Sequence, residues 1–133
     1  VYLGIHKSDY AEILMAQLRN LKVEGDRELI ATAVADVLPP TMTGADLSAV
    51  VSSAILRATS RLCEQADRLV SQWQLDQGRD VTVDEVLRSW GDDEVEPVVA
   101  LYDLLAAANE ATPSLTEEEL MKYENLKNTM NVM

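Results

Sequence analysis

The chain has 133 residues and a formal net charge of −12, from 11 basic and 23 acidic side chains. A surface this acidic argues against a nucleic-acid-binding module, which presents a basic face, and against binding to anionic membrane surfaces. About half of the residues are hydrophobic, but few are aromatic and phenylalanine is absent. A single domain with a core of Leu, Val, Ile, Ala and Met suits helices packed on helices.

Two helices are predicted in the first 40 residues. Asp9 and Glu12 have the spacing of a capping box at the start of the first helix, and Gly25 is expected to end it. Asp26 can cap the second helix. The prolines at 39–40 stop it, because a proline ring cannot continue the hydrogen-bond ladder.

The third predicted helix is the longest. Thr43 and Asp46 are spaced as an N-cap residue and its partner in a capping box, and Met42 and Leu47 as a hydrophobic staple. Apolar residues then recur along one face: Leu47, Val51, Ala54, Ala58, Leu62, Ala66, Leu69 and Trp73. We therefore expect this helix to be the spine of the fold, with Cys63 as a small packed side chain in its middle.

The second half of the chain is less regular. Residues 76–96 are polar and predict an insertion or loop region on the bundle surface, in which 81–90 can form a short helix. A short β-like run at 98–101 precedes a helix over 103–111. The C-terminal helix is predicted over 116–131, and its expected buried stripe is Leu120, Tyr123, Leu126 and Met130.

The sequence contains no complete active site. It lacks a phosphate-binding Gly-Lys-Ser/Thr loop, and one histidine and one cysteine cannot form a zinc site from nitrogen and sulfur ligands alone. His6 is better explained as a loop residue than as a catalyst. No apolar run reaches the ~20 residues of a membrane span, so direct membrane insertion is not expected. Because the chain begins at Val1, we expect a fragment or a processed product that is not an enzyme by itself.

One segment resembles a known family. Thr43-Gly44-Ala45-Asp46-Leu47, in this order of helices, is similar to the Ser/Thr-Gly-Ala-Asp-Leu segment of the small (lid) domain of AAA ATPases. The opening Val1-Tyr2-Leu3-Gly4-Ile5 and the ending Thr112-Pro113-Ser114-Leu115-Thr116-Glu117-Glu118-Glu119-Leu120 resemble the peroxin-six (peroxisome assembly factor two) type. The resemblance covers about residues 1–75 and 95–130. It implies that residues 1–133 form one all-α lid domain, a helical bundle.

The resemblance also implies partners and a cofactor. The parent protein would be an ATPase that uses ATP or ADP with Mg²⁺, whereas the isolated fragment is expected to bind no nucleotide. The lid would pack on its own large ATPase domain and on neighbouring subunits of a heterohexamer with the peroxin-one type. Such rings are cytoplasmic and peripheral at the peroxisomal membrane, where they pull ubiquitinated import receptors out and so serve matrix protein import.

Four site residues follow from the resemblance. Gly44 and Ala45 match positions whose backbone lies against adenine, where the missing Cβ of glycine lets a flat base approach. Ile13 matches an apolar residue of the adenine pocket, and Gln17 stands where several relatives carry a ribose-contacting histidine. Without the resemblance, Gly44 and Ala45 would be ordinary first-turn helix residues.

Two alternatives remain open at this stage. The chain could be the lid of another AAA machine, such as an unfoldase or a severing ATPase. It could also be a freestanding acidic adaptor that binds a partner through a groove or a helix face. A Walker motif upstream of Val1 in the parent sequence would remove the adaptor reading.

Overall fold

Helices make up most of the structure, a computed structural model that describes residues 6–113 and 117–132. They are α1 (Tyr10–Leu18), α2 (Arg27–Val37), α3 (Gly44–Gln77), α4 (Val83–Ser89), α5 (Leu101–Glu110) and α6 (Glu117–Val132). The all-α helical-bundle prediction is confirmed. The predicted lead-in at 1–5 and the predicted first residue of the last helix, Thr116, lie outside the described residues.

Two of the predicted helix caps are present. The Asp26 carboxylate accepts hydrogen bonds from the backbone N–H groups of Glu28 and Leu29, at 2.9 and 3.2 Å. Thr43 and Asp46 form the predicted capping box, because each side chain accepts from the other's backbone N–H, at 3.2 and 2.9 Å. These bonds satisfy N–H groups that the first turn of a helix leaves without partners.

The first helix begins directly after Asp9, as predicted, but its predicted capping box and its predicted end at Gly25 are wrong. Asp9 forms no side-chain cap, and a short 3₁₀ turn leads into α1 instead. The helix ends at Leu18, well before Gly25. Its carbonyl end is held by Arg27, whose guanidinium donates to Leu18 O at 3.1 Å and to Leu21 O at 2.5 Å. A cation at this end also complements the helix dipole.

The main core surrounds the first half of α3. Helices α1 and α2 pack together, and α3 packs against both α1 and α5. The largest fully buried side chains here are Tyr10, Leu14, Leu18, Leu38, Met42, Leu47 and Leu104. Met42 and Leu47, the predicted staple, are both members of this core, so the start of α3 is fixed by packing as well as by its cap.

A second, smaller core lies on the later half of α3. Buried Ala66, Val81 and Val86 pack there with partly buried neighbours: Leu69, Val70, Trp73, Leu87 and Trp90. The short helix predicted within 81–90 is confirmed as α4, capped by Thr82. The polar segment is therefore attached to the spine through a packed apolar contact.

Truncating Val86 tests this second core. We expect Val86→Ala to lower the free energy of unfolding by about 1–2 kcal/mol and to speed amide exchange mainly in α4, because a fully buried side chain leaves a cavity. Urea denaturation and hydrogen exchange measure the two effects. Val83→Ala is the matched control, since Val83 is 41% exposed in the same helix. Equal effects of the two changes would contradict the packing described here.

The predicted β-like run is one isolated parallel bridge between Val23 and Val99. Val99 N donates to Lys22 O and Glu24 N donates to Val99 O, both at 2.9 Å. This bridge ties the loop after α1 to the segment that enters α5.

An ion pair between the partly exposed Arg61 and the buried Asp103 ties α5 to α3. The Arg61 guanidinium donates to both carboxylate oxygens of Asp103, at 2.6 and 2.9 Å, and to Val98 O at 3.1 Å. Asp103 also accepts from Ala100 N at 2.9 Å. Burial alone would raise the pKa of the Asp103 carboxyl, but the bonds from Arg61 and Ala100 together hold it below its usual range.

Two predicted packing positions are wrong. Cys63 is exposed, because a helix turns by about 100° per residue and the buried face of α3 passes through Ala58 and Ala66. Leu126, placed in the buried stripe of the last helix, is also exposed. The side chains of Leu120, Tyr123 and Met130 lie outside the described residues. No helix within the described ranges has both the length and the hydrophobicity needed to cross a bilayer.

Candidate functional site

The turn that begins α3 contains two of the predicted site residues, Gly44 and Ala45. Its capping box directs Thr43 and Asp46 toward each other, while Gly44 is half-buried and Ala45 is exposed. Positive φ angles occur at Gly25 and Gly78 among the described glycines and not at Gly44. The backbone conformation therefore does not require glycine at position 44.

One of the two predicted residues of α1, Gln17, contacts the start of α3. Ile13 and Gln17 are four residues apart and share a face of α1, and both are half-buried. Gln17 Nε2 donates to Ser48 Oγ at 3.0 Å, and Ser48 shares a face of α3 with Gly44. The hydrogen bond thus joins the two faces that carry the four predicted site residues.

The Gln17 amide has one unused group. Its Oε1 is buried and accepts no hydrogen bond from any residue in the described part of the chain. A buried acceptor without a partner costs about 1–3 kcal/mol. The site between α1 and the first turn of α3 therefore contains a polar atom that these two helices do not satisfy.

Tyr10 holds the loop that leads into the turn, a role that no sequence pattern predicts. Its hydroxyl donates to Pro39 O at 2.8 Å and accepts from Met42 N at 2.9 Å. Burial is the main cause of the raised pKa of Tyr10; the charge of Asp46 also raises it, and the bond from Met42 opposes the rise. Its spacing from Leu14 and Leu18 could indicate a core position but not the two hydrogen bonds.

Removing the Tyr10 hydroxyl should destabilise the chain. We expect Tyr10→Phe to lower the free energy of unfolding by about 1–3 kcal/mol, because Met42 N–H and Pro39 O would lose their buried partner. Urea denaturation measures the loss. Tyr102→Phe is the matched control, since Tyr102 is 58% exposed, and it should change stability by less than about 0.5 kcal/mol. If Tyr10→Phe left the free energy of unfolding unchanged, the loop would not depend on this hydroxyl.

The described residues offer no metal centre. None of their His, Cys, Asp and Glu side chains form a group of three or more that could hold a metal ion. Near the start of α3 the described residues place a half-buried glycine, an exposed alanine and the Gln17 amide.

The comparisons with known proteins identify relatives along nearly the whole chain. No protein-family model matches it. The chain is 30% identical over 128 residues to the peroxisomal ATPase pex6 of Schizosaccharomyces pombe, and 33% identical over 134 residues to PEX6 of Saccharomyces cerevisiae; each match covers 96% of this chain. It is 32% identical over 142 residues to PEX6 of Penicillium chrysogenum, with 100% of the chain covered.

These matches occupy only a small part of each relative. The chain spans 13% of the S. pombe protein, 12% of the S. cerevisiae protein and 9% of the P. chrysogenum protein. Along nearly its whole length the chain is therefore similar to one segment of the peroxisomal ATPase PEX6, which confirms the resemblance to the peroxin-six type of AAA ATPase.

Proposed function

We propose that this chain is the lid domain of a peroxisomal AAA ATPase subunit and that the start of α3 forms the adenine side of its nucleotide pocket. The observation that carries the proposal is the Gln17–Ser48 hydrogen bond, which joins the face of α1 that carries Ile13 and Gln17 to the start of α3, where Ala45 is exposed. The similarity to PEX6 supports the same assignment.

The pocket chemistry follows from these residues. A flat base would lie against the backbone at Gly44 and Ala45, because neither residue carries a long side chain. Ile13 supplies an aliphatic surface for the base, and the Gln17 amide stands on the side of the ribose. Small-molecule pockets commonly combine an apolar lining with a few polar groups in this way.

The phosphates must be bound elsewhere. The chain has no phosphate-binding loop, and its net charge of −12 repels a polyphosphate. The large ATPase domain of the parent would supply that loop together with Mg²⁺. One domain would thus hold the base and the other the phosphates.

Mechanical coupling follows from the rigidity of the bundle. The capped helix α3 runs from the candidate base site through both cores, so a shift at the site would move the whole domain as one body. Rotation about the segment before α1 would press its faces on neighbouring subunits, including the peroxin-one type. The ring would act at the peroxisomal membrane to move import receptors.

Calorimetry with ATP tests this division of the pocket. We expect no measurable heat of binding for the 133-residue chain alone, clear binding for the full-length subunit, and weaker binding once the segment corresponding to this chain is removed. The base contacts alone give too little affinity, whereas both halves together hold the nucleotide. Tight ATP binding by the isolated chain would overturn the proposal, and so would undiminished binding after removal of the segment.

A further inference from the structure

A groove lies on the side of the bundle formed by the middle of α3 and residues 90–98. Its volume is about 440 Å³, within the ~300–1,000 Å³ typical of ligand clefts. Ala58 and Leu62 of α3 and Val98 contribute apolar surface, and Trp90 and Tyr102 contribute aromatic rings. The residues of the candidate nucleotide site do not line it.

The groove carries an excess of negative charge. Glu24, Asp93, Glu94 and Glu96 line it, and all four are exposed. None of these carboxylates forms a hydrogen bond or ion pair within residues 6–113 and 117–132, although the charge of Glu24 acts on Arg61.

The two cations of the groove are already engaged. The Arg61 guanidinium is bonded to both oxygens of Asp103, and the Lys22 ammonium donates to the backbone oxygen of Asp93 at 2.9 Å. The acidic side chains therefore keep their capacity to attract a cationic group.

The acidic segment is also held in place. The Lys22–Asp93 bond fixes it to the loop after α1, and Glu94 N donates to Gly91 O at 2.9 Å to close a turn. On its far side the segment continues into the Val23–Val99 bridge. A partner would therefore meet a groove that needs little ordering on binding, which reduces the entropy cost of association.

We propose that this groove binds an extended basic peptide segment of a partner protein. A lysine or arginine stem would pack against the apolar and aromatic surface, and its charged end would reach the carboxylates of Glu24, Glu94 and Glu96. A divalent cation is a poorer fit, since the described residues contain no group of carboxylates that could hold a metal ion. The proposal is independent of the nucleotide site.

Fluorescence anisotropy with a labelled nonapeptide of alternating lysine and leucine tests the proposal at ~0.15 M salt, where the screening length is about 8 Å. We expect saturable binding that the double variant Glu24→Lys, Glu96→Lys weakens at least tenfold. Gln65→Trp, which fills the groove from the exposed Gln65 on its lining, should weaken it at least fivefold without a change of charge. The peptide with glutamate in place of lysine should not bind.

The controls separate the groove from general attraction to an acidic protein. Asp67→Lys changes charge at an exposed position of α3 that does not line the groove, and it should change affinity less than twofold. Circular dichroism must show the same helix content in all variants. The proposal is overturned if peptide binding fails to saturate, or if Asp67→Lys weakens peptide binding as much as the groove variants do. It is also overturned if spermine, used as a competitor, displaces the peptide equally well from wild type and Gln65→Trp.

Discussion

Asp103→Ala is expected to lower the free energy of unfolding by about 2–4 kcal/mol. The change would remove both carboxylate partners of Arg61 and the acceptor of Ala100 N, and it would leave a buried N–H and a guanidinium without compensation. Breaking a fully buried pair costs about 3–5 kcal/mol. The expected loss is smaller here because the Arg61 side chain is 39% exposed and water can solvate part of its charge.

A second arginine–carboxylate pair between the same two helices is the control. Arg57 and Glu110 approach to 2.6 Å, but the Glu110 side chain is 70% exposed. We expect Glu110→Ala to cost less than about 1 kcal/mol, because exposed pairs contribute little. Urea denaturation of both variants at neutral pH measures the difference. Similar losses would show that burial does not decide the strength of these pairs.

The Asp103 carboxylate also predicts that the free energy of unfolding depends on pH. The folded-state pKa of Asp103 is lowered, so the unfolded chain binds the proton more tightly than the folded chain. The stabilisation from ionised Asp103 is therefore complete above the unfolded pKa of about 3.9 and is lost as the pH falls through the folded value. The stability difference between wild type and Asp103→Asn should shrink below about pH 4. A constant difference down to acid unfolding would contradict this assignment.

The sequence was most informative where one segment of chain decides its own structure. The Asp26 cap, the Thr43–Asp46 capping box and the stop before the prolines at 39–40 depend on residues within a few positions of one another, and all three are present. The end of the first helix was not predicted correctly, because it involves a residue of another helix. This helix ends at Leu18, where Arg27 from the next helix donates to its last carbonyl oxygen.

Contacts between distant residues could not be predicted in the same way. Tyr10 bonds to Met42, 32 positions away, and Arg61 bonds to Asp103, 42 positions away. No periodicity marks such pairs, because they depend on how the helices cross. The residues of the candidate site were named from a resemblance. The structure places Gln17 beside the first turn of α3 through Ser48, while the nucleotide roles of Gly44, Ala45, Ile13 and Gln17 stay predictions.

Gly44→Val in the full-length subunit is expected to weaken nucleotide binding at least tenfold, or about 1.4 kcal/mol. A branched side chain at the start of α3 would occupy the space proposed for the base. The fold should tolerate it, because Gly44 does not have a positive φ and valine is no worse than glycine in a helix. The 133-residue chain with this change should therefore unfold within about 1 kcal/mol of wild type.

Measuring both ATP and ADP makes this test specific for the base. ATP and ADP share the base and ribose, so Gly44→Val should weaken both by the same factor if the new side chain meets the base. A perturbation near the phosphates would instead change the ratio of the ATP affinity to the ADP affinity. Gly91→Val is the matched control, since the nearest atom to an added Cβ there is Glu94 Oε1 at 4.0 Å, and its nucleotide affinity should stay within twofold of wild type. Unchanged nucleotide affinity in Gly44→Val would show that the base does not bind at this turn. The assignment of the chain as a lid domain would not be tested by that result.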